Sequence, residues 1–126
     1  MLVGIQRVKS SIDSIIREVS RSHAPPGGVL ENDDAALAIL LDASDSLLWA
    51  ANYADMWRQA ARDGDMARAN HYYVIACDKT SISRSQIART RTAAAEPPQG
   101  LLSAYGDELK THLEELDKIR IDNGCP

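Results

Sequence analysis

The chain has 126 residues, room for one domain and too few for two ordinary ones. Its apolar fraction of 44% includes 18 Ala; Leu, Ile and Val together number 27, and Phe is absent. Ala and Leu with few strand formers predict a helical chain, and so thin a set of large side chains predicts help from a partner or from further copies. The net charge is −4, but residues 79–95 hold four positive charges and no acid. An acidic body with one basic segment excludes a general nucleic-acid coat, because the body would repel phosphate. The longest apolar run, Ala35 to Leu41, has seven residues, against about 20 needed to cross a bilayer. Charges from Arg7 to Arg21 run through residues 1–22, which argues against a signal peptide and for a cytoplasmic protein without membrane attachment.

The expected fold is all-α, a single helical domain. A first helix over 1–22 carries Ile5, Val8, Ile12, Ile15, Ile16 and Val19 on one stripe and stops before Pro25-Pro26-Gly27-Gly28. A long antiparallel hairpin follows over 33–95. Its first helix starts near Asn32 or Asp33, either of which can cap the free amides of the first turn. It continues through Leu37, Leu40, Leu41, Leu47, Leu48, Ala51, Ala54 and Trp57 to Gly64, suited to the left-handed backbone at a helix end. Asp65 caps the next helix at once, so the two must be antiparallel neighbours, with Met66, Ala69, Tyr73, Ala76 and Ile87 facing inward. Residues 78–83 are poor helix interior, and Ser83-Arg84-Ser85-Gln86 fits a capping box. The helix therefore either runs on to Ala95 or breaks here and restarts. After Glu96-Pro97-Pro98-Gln99-Gly100, a C-terminal amphipathic helix over 101–121 repeats Leu102, Tyr105, Leu109, His112, Leu116 and Ile119 in a near-heptad seam.

Catalytic motifs are scarce. Asp34, Asp45 and Asn52, with Asp42 and Asp55 beside them, read as a solvated stripe. No Glu-x-x-His pair of the di-metal bundles occurs. Cys77 and Cys125 are 48 residues apart, outside any CxxC; a buried thiol and a tail thiol are the expectation, with a disulfide or zinc as alternatives. The sequence thus predicts no catalytic residue, metal or cofactor. Arg17 and His23 resemble the arginine–histidine pair of HEPN ribonucleases, the basis of an alternative enzyme reading.

The better lead is the basic segment. Lys79, Arg84, Gln86, Arg89 and Arg91, among several hydroxyls, suit phosphate contact and one base-edge contact. With a break at 78–83, residues 66–77 and 83–95 would form a helix-turn-helix, giving a DNA-binding regulator as a second alternative. Leu40, Leu47, Trp57, Tyr73, Leu109 and Leu116 are the expected oligomer or partner interface.

Leu47-Leu48-Trp49-Ala50-Ala51 and Tyr53-Ala54 before an Arg-Asp-Gly-Asp turn, with Tyr72-Tyr73 after it, make residues 33–95 resemble the hairpin of phage small terminase subunits. That resemblance implies a non-catalytic, self-associating adaptor that binds DNA and regulates a larger packaging motor. The chain departs from the family in having one N-terminal helix where many members have a helix-turn-helix, and Lys79-Thr80-Ser81-Ile82 where others have a Gly-Leu-Thr-Pro-like turn.

Overall fold

Two long helices set the frame. In the structure, a computed structural model that describes residues 1–22 and 31–126, α1 spans Leu2–Ser22, α2 Glu31–Arg62, α3 Met66–Ala95 and α4 Gly106–Asp122. A 3-10 turn, Leu101–Tyr105, leads into α4. There is no strand among the described residues. The Pro25–Gly28 stop and His23 lie outside them.

The α2–α3 hairpin forms because its turn is locally determined. Gly64 takes φ 76°, and the Asp65 amide donates to the Ala60 carbonyl at 3.0 Å, the wide bond of a left-handed helix terminus. Asp65 then accepts from the Arg68 amide at 3.1 Å, as its predicted cap role requires. Beyond the turn, α2 buries Ala36, Leu40, Ala43, Leu47, Ala50 and Ala54, and α3 buries Ala69, Ala76, Thr80, Ser83, Ile87, Thr90 and Ala94. Steps of three and four along both helices bring such residues to one face. Many are small, which lets the two backbones run close together.

The helix α3 does not break at 78–83. Thr80, Ser83 and Thr90 donate to the carbonyls of Ala76, Lys79 and Gln86, four residues back, at 2.7–2.9 Å. Each hydroxyl is thereby satisfied inside the helix and can be buried against its neighbours. Burial overrides the weak local propensity, and the Ser83–Gln86 capping box does not form.

The remaining helices close the bundle: α1 packs on α2, α4 on α3, and α1 also touches α4. Ile5, Val8, Ile12, Ile15 and Val19 of α1 and Leu109, Leu113 and Leu116 of α4 are all buried in this one chain. A side chain at Gly4 would collide with Ile119, so α1 and α4 approach closely there.

Three long-range ties hold the cover in place. Asp33 does not act as the predicted cap of its own helix: its buried carboxylate accepts the amides of Leu101 and Leu102 at 2.8 and 3.1 Å. A side chain at Gly100 would strike that carboxylate. On the α1–α2 seam, Lys9 Nζ lies 2.6 Å from Asp13, which also accepts from the Ser44 hydroxyl. Burial pushes the Asp13 carboxyl up, but the bonds from Lys9 and Ser44 and the charges of Lys9 and Arg17 outweigh it, holding it below its ordinary 3.8. Third, Cys77 and Cys125 form a disulfide with Cα atoms 5.5 Å apart, correcting the expectation of two free thiols. The cause is topological: α4 runs back along α3 and delivers the tail beside Cys77, where Tyr73 also donates to the Asn123 carbonyl at 2.7 Å. No helix of the described residues is long and apolar enough to cross a membrane.

Candidate functional site

The structure reassigns most of the expected interface. Leu40, Leu47, Leu109 and Leu116 each have no exposed surface in the single chain. Their seams are real, but all four belong to the one core that the helices of this chain bury together, which leaves them no surface for another subunit. Trp57 and Tyr73 are half-buried against each other, ring centroids 5.1 Å apart. His112, expected to set register at an interface, is buried within the chain, its ring nitrogens 3.8 Å from Glu108 and 3.6 Å from Glu115.

The basic segment is divided between two directions. Arg84 turns toward α4 and pairs with Asp117 at 3.0 Å. Arg91 turns the same way and donates to the Gly106 carbonyl at 3.0 Å. Lys79, Gln86 and Arg89 lie on the outer side of α3, where Gln86 accepts from Ser46 at 2.8 Å. Arg89 is exposed and makes no ion pair among the described residues. An unbroken α3 presents no separate recognition helix, and the five residues do not form one patch.

A surface that sequence reasoning left out is assembled instead on the outer face of the hairpin. Asp42, Asp45, Trp49 and Met56 follow at steps of three, four and seven along the sector of α2 away from the core, with half-buried Tyr53 at its edge, packed against the core. His71, Ile75, Lys79, Ile82, Gln86 and Arg89 follow at steps of three and four on α3. The rings of Trp49, Tyr53, Tyr72 and His71 form a row across the two helices, with successive centroids 6.3, 6.2 and 5.7 Å apart. Trp49 is 48% exposed, Met56 38% and Ile82 37%. Aromatic and aliphatic groups so placed are costly to leave in water and favourable to cover. The signal was present as a second helical stripe, offset from the inner one, but a stripe containing Asp42 and Asp45 reads as solvated.

The outer face continues into a shallow cleft of about 400 Å³ lined by Ile39, Ala88, Arg89, Thr92 and Ala93. A larger cleft of about 570 Å³ lies between the start of α1 and the end of α2, walled by Leu2, Ala54, Trp57 and Ala61 with Arg58 and Arg62 at its edge. Arg58 is already paired with Asp55 at 3.0 Å. Neither cleft brings a nucleophile to a base. No group of three His, Cys, Asp or Glu among the described residues could hold a metal ion. No protein-family model, curated protein or solved structure matches this chain.

Proposed function

We propose that this chain is a non-catalytic helical adaptor whose working surface is the outer face of the α2–α3 hairpin. The observation that carries the reading is the row of rings from Trp49 to His71, exposed at both ends and half-buried at Tyr53 and Tyr72, on a chain whose core is already filled by its own helices. Folding does not require those rings outside, so the surface is available to a protein partner. The adaptor role expected from the small-terminase resemblance is kept and moved to this face. Its DNA-contact part is not kept, because Arg84 and Arg91 are engaged with α4 and Lys79 and Arg89 stand among the exposed Asp42, Asp45 and Asp78. The paired cysteines favour an oxidising compartment over a cytoplasmic one.

Site-specific photo-crosslinking in the source cell tests the proposal. A benzophenone side chain replaces Trp49 in one variant and Ser14, exposed on α1, in another. The expected result is a discrete protein adduct from position 49, identified by mass spectrometry, and none from position 14. Equal labelling from both positions, or none from either, contradicts an adaptor working through this face.

A further inference from the structure

We infer that the partner of the outer hairpin face is a second copy of this chain, docked about a two-fold axis parallel to the hairpin so that Asp42 and Asp45 of each copy meet Arg89 of the other. This rests on the reading of that face as a docking surface and adds what covers it. The Ser46–Gln86 hydrogen bond fixes which levels of α2 and α3 lie side by side. The helices are antiparallel, so three residues beyond Gln86 corresponds to three before Ser46, and Arg89 stands at the level between Asp42 and Asp45. Among the described residues none of these charges closes to an ion pair, and all three are exposed.

A two-fold axis along the hairpin places each α2 over the α3 of the other copy at the same level. Acidic residues then face a basic one at one end of the face. Farther along, Trp49 falls over Ile82 and Met56 over Ile75, so apolar groups face apolar groups. One operation thus matches both charge and hydrophobicity, as a self-complementary surface must. The size also fits: two helices about 10 Å wide, side by side over the roughly 30 Å that the face and its adjoining cleft span, present roughly 600 Å² per copy, the lower end of an ordinary stable interface. A strand of nucleic acid stacking on the rings is disfavoured, because Asp42, Asp45 and Asp78 are exposed along the same two helices and repel phosphate.

Sedimentation equilibrium with reciprocal charge variants tests the assignment. The wild-type chain, 13.8 kDa, should sediment at twice that mass. Asp45→Arg and Arg89→Asp should each weaken association by about 100-fold, because like charges then face one another in both symmetry-related contacts. Mixing the two variants should restore the doubled mass: in the mixed pair one contact is wild-type and the other is reversed but still attractive. Circular dichroism of each variant confirms that it is folded. A wild-type chain at 13.8 kDa across the concentration series would overturn the assignment, as would a dimer that ignores both substitutions or variants that fail to recombine. A monomeric chain that still crosslinks from position 49 to a different protein removes the second copy and leaves the adaptor reading intact; a monomer with no adduct removes both.

Discussion

The two faces of the hairpin are built from the same helices and do opposite work. The inner face is small and fully covered: Ala36, Leu40, Ala43 and Leu47 of α2 and Thr80, Ser83, Ile87 and Thr90 of α3 have no exposed surface. The outer face carries the large rings, Trp49, Tyr53 and Tyr72, and leaves them partly in water. A chain poor in big aliphatics can therefore close its own core by bringing backbones together, and keep its bulkiest side chains for another use. Composition had pointed to a core too thin to stand alone. That inference confused the size of the buried residues with the quality of their packing.

If this division is correct, damage should scale with the face that is touched. The largest effect should come from the tie that fastens the cover. Cys125→Ser opens a loop spanning 48 residues of separation and should lower stability by about 4 kcal/mol on the chain-entropy estimate, measured by urea unfolding. Leu47→Ala, at the centre of the inner face, should cost about 3 kcal/mol in the same assay. Asp33→Ala, which strands the amides of Leu101 and Leu102, should cost about 2 kcal/mol. Its lesion should appear first as faster hydrogen exchange in residues 100–105. Acid should act more gently on the α1–α2 seam. The folded carboxyl of Asp13 lies below its unfolded value, so its contribution is present above about pH 4. That contribution is lost as pH falls through the folded pKa. Asp13→Asn should flatten this acid limb of the stability profile and leave the neutral region nearly unchanged.

What could be read in the sequence follows the distance over which each feature is determined. Gly64 and Asp65 were legible because a turn and a cap depend on neighbours a few residues away. The stripes on α1, α2 and α4 were legible for the same reason. A stripe states that something covers it without saying which chain, and so Leu40, Leu47, Leu109 and Leu116 were assigned to an oligomer or partner interface when the helices of the same chain bury them together. The disulfide and the Asp33 contacts depend on α4 returning along α3 and on the 3-10 turn reaching the start of α2; no local pattern encodes either. The run at 78–83 misled in the opposite sense, because isolated Ser and Thr weaken a helix but buried ones can bond back to it. The outer aromatic row was hidden by its own acids, because Asp42 and Asp45 on the same sector read as a solvated stripe.

The most direct test of the division is the urea unfolding of the double variant Trp49→Gln, Met56→Gln, at a concentration where the wild-type chain sediments as a monomer. Removing the two half-exposed groups should change the unfolding free energy by less than about 1 kcal/mol, about 0.5 kcal/mol for each as for substitutions on an uncovered surface. A loss matching that of Leu47→Ala would show that the outer face is part of the chain's own core and not a surface held ready for a partner.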